Sequence, residues 1–260
     1  TATATQTLHE WVEEYIARPT TTAQSVEGAQ ATYSDLTAPA RRNNVTEIIT
    51  QTFRVSDTER AVAVAGGQDP YEYQASKALR QWKNQLEYNI VNGAAKASGS
   101  SGVARVMAGI KSIVTSHYTA RNSGTSLSET EFNDMVFDVA QDVGSSDVFD
   151  MVVTGLKLRQ AISSFTAGST KFVDATDKRL TRPVAVYESD YQVHRIFGHK
   201  DVYSSSATPG PAVFGLKESS WKVAYLRKPK RTDLAKVGDS SNGQIVGEQT
   251  LEYRTERANA

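Results

Sequence analysis

From Gln244 to Arg254 the chain alternates, with Ile245, Leu251 and Tyr253 on one parity and Glu248, Glu252 and Arg254 on the other. Period-2 alternation predicts a half-buried β-strand with one charged face. Two similar runs stand near the start. LHEWVEEYIARP alternates and stops at Pro19. NNVTEIITQTFRVSDTERAV is rich in β-branched and aromatic residues and puts Val45, Glu47, Ile49, Gln51, Phe53 and Val55 on one parity. A stretch of Thr, Ser, Ala and Gly separates them. Paired antiparallel, strands of about eleven residues would reach roughly 35 Å. An isolated two-stranded ribbon is marginal in water, so one that projects needs something to cover it.

The 3.6-residue period takes over in DPYEYQASKALRQWKNQLEYNIVNG. Asp69 occupies an N-cap position, Pro70 the first helical position and Glu72 the third, a variant of the capping box. Tyr71, Ala75, Ala78, Leu79, Trp82, Leu86 and Ile90 form one apolar stripe, and Gly93 supplies the stop. The spacing predicts a helix roughly 35 Å long. Taken alone, it is the core helix of any α/β protein.

Further on, GVARVMAGIKSIVTS places Val103, Val106, Met107, Ile110 and Val114 on a helical stripe. SLSETEFNDMVFDVAQDVG carries a full capping box, Ser128 with Glu131, a Leu127–Phe132 staple and a terminal Gly144. FDMVVTG reads as a buried strand and LKLRQAISSF as a short helix. PVAVYESDYQVHRIFGHKD reads as a hairpin turning near Ser189 and Asp190. Tyr203 to Gly215 is Ser-, Pro- and Gly-rich and reads as a loop or boundary. SWKVAYLRKP and the terminal strand close the chain. The order of ribbon, long helix, mixed insertion and returning strands predicts an α+β fold with a discontinuous first domain.

Composition narrows the function more by exclusion than by indication. The 260 residues are 39% hydrophobic and 22% charged, an ordinary folded composition. The 29 basic residues balance the 29 acidic ones, which argues against a dedicated nucleic-acid binder. No apolar run approaches the roughly 20 residues that span a bilayer, so no membrane partner is expected. Without cysteine there is no disulfide, thiolate metal site or thiol nucleophile. The first residue is Thr1; numbering that starts inside a longer polypeptide and proteolytic processing both account for this.

No catalytic pattern emerges. HEWVEE opens like a zincin helix but lacks the second histidine four residues after His9. His194 and His199 stand five apart on a strand, an odd spacing that puts them on different faces and favours surface histidines over ligands. GSSG and AGGQDP lack the context of phosphate-binding loops, and no G-x-S-x-G elbow occurs. Asn44-Val45-Thr46 is read as a chance glycosylation sequon. No catalytic residue, cofactor or metal site is expected. The basic segment RKPKRTDLAK has three readings: phosphate contact, ion pairing with the terminal strand or a neighbouring copy, and plain solvation.

The order and spacing of these segments resemble the HK97-type major capsid proteins of tailed bacteriophages, specifically the SU10-like major head protein family. The resemblance is carried by HEWVEEYIARP; VEGAQATYSDLTAPARRNNVTEIITQTFRVSDTERAV; YEYQASKALRQWKNQLEYNIVNG; AISSFTAGSTKFVDATDKRL with VAVYESDYQVHRIF; and WKVAYLRKPKRTDLAKVGD with TLEYRTERANA. It implies an N-terminal arm at 1–7 and an extended E-loop β-ribbon at 8–64. It also implies a discontinuous peripheral domain at 65–102 and 215–260 with a spine helix at 69–93, and an axial domain at 103–214.

The implied function is a head subunit that self-assembles into pentamers and hexamers of a shell around double-stranded DNA. That shell belongs to the virion and is built in the bacterial cytoplasm. Weak non-specific contact with the DNA is expected, and portal, scaffolding and decoration proteins are open as further partners. An encapsulin-like cargo shell or another phage structural protein is the alternative. Trp11, Tyr15 and Phe53 become candidate aromatic anchors between copies. Arg54, Glu59, Arg60, Arg227, Arg231, Glu248, Glu252 and Arg254 become candidate intersubunit or intercapsomer charges.

Overall fold

In the computed structural model, which describes residues 2–14, 24–30, 38–62, 69–119, 127–165, 186–202 and 212–260, the terminal strand is the centre of the main sheet. The strands are β1 (Ala2–Thr3), β2 (Leu8–Glu13), β3 (Ala40–Val45), β4 (Glu47–Ser56), β5 (Met151–Gly155), β6 (Val186–Glu188), β7 (Val193–His199), β8 (Val213–Leu216), β9 (Trp221–Leu234) and β10 (Ser240–Tyr253). The helices are α1 (Asp57–Ala61), α2 (Pro70–Asn92), α3 (Ile110–Ile113), α4 (Glu129–Val143) and α5 (Leu156–Phe165). One sheet has the order β1-β9-β10-β4, a second is the β2-β3 ribbon, and a third has the order β6-β7-β5-β8.

Helix α2 covers one face of the first sheet. Asp69 caps it by accepting from the Tyr71 amide at 2.9 Å, and Pro70 opens it. Glu72 does not complete a capping box; it turns outward to Arg231. Tyr71, Ala75, Ala78, Trp82 and Leu86 pack on Ile49, Phe53, Val55, Met107 and Ile245, while Leu79 of the expected stripe is exposed. Each large apolar side chain buried here contributes about 1.5–3 kcal/mol. Trp82 also donates its indole N–H to the Ile49 carbonyl at 2.9 Å. The helix lies so close that a Cβ on Gly247 of β10 would meet Trp82 Cζ2 at 2.5 Å.

A second core forms where α4 and α5 cover the third sheet, with Phe132, Val136, Val139, Phe149, Val152, Ile162 and Ile196 inside. The capping box at Ser128 and Glu131 is present. Gly144 ends α4 at φ 91°, a left-handed conformation that favours glycine. A third cluster, including Val91, Ala108, Ile110, Ile113, Phe214, Leu216 and Leu251, joins the two. The chain end seals the junction: Ala260 and Gly215 exchange backbone hydrogen bonds of 2.7 and 2.9 Å.

The structure corrects four expectations. The ribbon assigned to 8–64 ends at Val45, because Glu47–Ser56 pairs with β10 and buries Ile49, Phe53 and Val55 under α2. Over 103–114 only Ile110–Ile113 is helical. Val103 and Val106 belong to a small turned segment bridged as Ser100–Val103 and Ala97–Val106, where Gly99 and Gly102 reverse the chain. The loop expected at 203–215 contains β8, which pairs with β5; residues 203–211 lie outside the described residues.

The fourth correction concerns His194, which is not on the surface. It is fully buried between Phe132 and Phe149, with Nε2 2.9 Å from Ser189 Oγ. Burial pushes its pKa down to about 4, against the raising influence of the Phe149 backbone and Asp150. The alternation of β7 was legible; what packs over its inward face was not.

Candidate functional site: the ribbon base

The β2-β3 ribbon meets the rest of the chain through one face and leaves the other open. Antiparallel register sets Leu8 opposite Val45, Glu10 opposite Asn43 and Val12 opposite Arg41. His9, Trp11 and Glu13 turn inward, whereas Leu8 and Val12 are 40% and 64% exposed. Alternation along six residues therefore makes a seated face and a free face.

The seat is the C-terminal end of β10 and the turn that follows it. His9 Nε2 lies 3.0 Å from Glu252 Oε2, and Arg254 Nε donates to Glu252 Oε1 at 2.9 Å. Trp11 packs edge-on against Tyr253 at 5.1 Å between ring centroids. Glu13 accepts from Arg42 Nε at 2.7 Å and from the Glu256 amide at 3.0 Å. Glu256 in turn accepts from the amides of Thr115 and Ser116 at 2.6 and 2.7 Å.

Where the ribbon enters the main sheet, Glu248 accepts from Thr46 Oγ1 at 2.8 Å and from Arg227 Nε at 2.9 Å, and it also pairs with Arg105. Asn44 is fully buried. Its side chain accepts from the amides of Val45 and Ala108, each at 2.9 Å, and donates to the carbonyls of Ala108 and Leu251.

Electrostatics follow burial. Burial pushes the Glu252 carboxyl up, but hydrogen bonds from His9 and Arg254 outweigh it and hold the group below the ordinary carboxylate value. Glu47, next to the junction, has no such cation. Burial raises its pKa despite donors from the Met107 amide and Asn89.

Most of the residues singled out from sequence are engaged within the subunit. The charged face of β10 was expected to be half-buried and open to neighbours. Instead Glu248 and Glu252 are each 3% exposed, because the ribbon base and Arg105 cover that face and supply the donors a buried carboxylate requires. Trp11 is buried against its own subunit. Phe53 lies beneath α2, 5.1 Å from the Tyr71 ring.

Arg231 forks onto Glu72 at 2.8 and 2.9 Å and stacks over Tyr71, and these bonds raise its pKa. Arg60 reaches Ser241 Oγ at 3.1 Å and Asp69 at 3.4 Å. Arg227 and Arg254 hold the buried carboxylates while staying more than half exposed. Arg54 and Glu59 are exposed, and Tyr15 lies outside the described residues. Sequence reasoning missed His9, Asn44, Thr46, Arg105 and Glu256, whose partners are remote in the chain.

Among the described residues there is no group of three His, Asp or Glu side chains placed to hold a metal ion, and no helix long and apolar enough to cross a membrane. Comparison with known proteins shows what such an arrangement belongs to. The whole chain, residues 1–260, matches the family described as SU10 major capsid protein. The chain belongs to that family. It is a phage major capsid protein.

Among relatives of this capsid protein, the "Major capsid protein" of Escherichia phage Phieco32 is 22% identical, covering 96% of this chain and 83% of the relative. A solved structure from Microbacterium phage Oxtober96 is 11% identical with a TM-score of 0.61, covering 97% of this chain and 82% of the other. The holo-SrpI encapsulin complex from Synechococcus elongatus is 11% identical with a TM-score of 0.60, covering 100% and 82%. The fold is the mixed helix and sheet fold of HK97-like phage capsid structures.

Proposed function

We propose that the chain self-assembles into pentamers and hexamers that form a closed shell around double-stranded DNA in the virion, built in the host cytoplasm. One observation supports this most directly. The β2-β3 ribbon is seated on its own subunit through His9, Trp11 and Glu13, while Leu8 and Val12 on its other face stay exposed. A two-stranded ribbon whose free face sets Leu8 and Val12 beside the Glu10–Arg41 pair is marginal alone, and a neighbouring copy related by closed symmetry covers it.

In this reading residues 1–7 are the arm and 8–45 the extended loop. The peripheral unit comprises 47–102 and 215–260 with α2 as its spine, and 103–214 is the axial unit. Arg54, Glu59 and the outward ends of Arg227 and Arg254 remain the candidate charges between copies. Portal, scaffolding and decoration proteins are further partners to test.

Electron microscopy of the expressed protein tests the reading: closed particles built of capsomers are expected. Leu8→Ser with Val12→Ser changes only the free face of the ribbon and keeps its seated face. It is expected to leave a folded subunit that does not assemble; normal particles from this variant would remove the ribbon's role. The likeness to the encapsulin complex sustains a second reading, a cargo shell. Protein cargo in place of DNA inside purified particles would favour it.

A further inference from the structure

The solvent-facing crest of α2 carries a run of basic residues that make no ion pair among the described residues. Lys77, Arg80 and Lys83 follow one another at three-residue spacing and are all exposed. At that spacing they are neighbours on the helix surface, so their like charges repel. The usual relief, a carboxylate four residues earlier, is absent: those positions hold Tyr73, Ser76 and Leu79. Of the acids on the helix, Glu72 pairs with Arg231, and Glu87 stands one turn beyond Lys83 at 3.6 Å from His199. Among the described residues none of the three cations is ion-paired. Tyr73 and Tyr88, 52% and 38% exposed, flank the basic stripe.

Position matters as much as charge. Gly247 and Ile245 of β10 face α2, whereas Glu248 and Glu252 face the ribbon base. The apolar stripe of α2 lies on the main sheet, against Ile49, Phe53 and Ile245, so the crest is the face of the helix turned away from that sheet.

We propose that the α2 crest is the polyanion-facing surface of the shell subunit, with Lys77, Arg80 and Lys83 contacting the phosphate backbone of duplex DNA without reading its sequence. This rests on the shell reading above. Net neutrality of the chain keeps the contact local. Three phosphates neutralised per subunit give a slope of about −2.7 in log K against log salt, or about 40-fold weaker binding from 50 to 200 mM. The DNA is held but free to slide.

The test is binding of a fluorescent 20-base-pair duplex to the full chain dissociated into free subunits, where the crest is accessible, across that salt range, for the native protein, K77Q/R80Q/K83Q and K228Q/K230Q. Gln preserves helix propensity, and circular dichroism checks the fold. The triple variant is expected to lose the salt-dependent binding, and the β9 variant to keep it. A native-like slope in the triple variant overturns the proposal. So does loss of binding in the β9 variant alone, which would move the contact to the exposed lysines of that strand. Microscopy after reassembly separates the two ideas: absence of native particles counts against the shell, whereas particles of all three proteins with unchanged binding by their free subunits count against the crest.

Discussion

His9 Nε2 sits 3.0 Å from Glu252 Oε2, joining the first strand of the ribbon to the last strand of the main sheet across 243 positions of sequence. Both groups are nearly buried, and Arg254 completes the pair from the solvent side. The contact makes the set of the ribbon a property of the subunit before any neighbour is present.

Glu252→Gln keeps the shape and removes the charge that His9 and Arg254 face. A loss of about 1–3 kcal/mol is expected at neutral pH, as for a buried charged hydrogen-bond partner. Because the Glu252 carboxyl is held below its ordinary value, its contribution is present above the unfolded pKa and fades as pH falls through the folded one. Urea denaturation from pH 7 downward should show the native and variant midpoints converging; parallel curves would contradict this.

His194 gives an independent acid sensitivity. Its pKa is lowered to about 4 in the fold from an ordinary value of 6.5, so the unfolded chain binds the proton first. Stability is full above pH 6.5 and declines by about 3 kcal/mol as pH falls to 4. His194→Gln should be less stable at neutral pH and lack this decline. Persistence of the same slope in the variant would place the titrating group elsewhere.

Gly247→Ala tests the approach of α2 to β10. The new methyl meets Trp82 at 2.5 Å, and Trp82 is fixed by its bond to Ile49. A loss of about 1–3 kcal/mol is expected, with perturbed indole fluorescence. An unchanged midpoint would mean that the layer gives way without strain.

Trp11→Ala separates contacts within the subunit from contacts between copies. Trp11 packs on Tyr253 of its own chain, so the unassembled subunit itself should lose about 3 kcal/mol or more. If only assembly suffers and the isolated subunit keeps its midpoint, the indole acts mainly on a neighbour.

Ser128→Ala removes the capping box of α4, with an expected cost of about 0.5–2 kcal/mol. Asp in place of Ser128 should retain most of the native melting temperature.

Local chemistry was enough to determine the elements that close on themselves. Asp69-Pro70 and Gly93 bracket α2, Ser128 with Glu131 and Gly144 bracket α4, and alternation marks β7 and β10, because caps and periodicity act within a few residues. The order of those segments also pointed to the family. Tertiary structure alone decided what lies over each face. Glu248 and Glu252 read as an open charged face, yet the ribbon and Arg105 bury them. Asn44 read as a chance sequon and is a buried four-bond tether. Phe53 read as ribbon and is core. Their partners stand tens to hundreds of residues away, and a strand's parity says which residues share a face but not what will cover it.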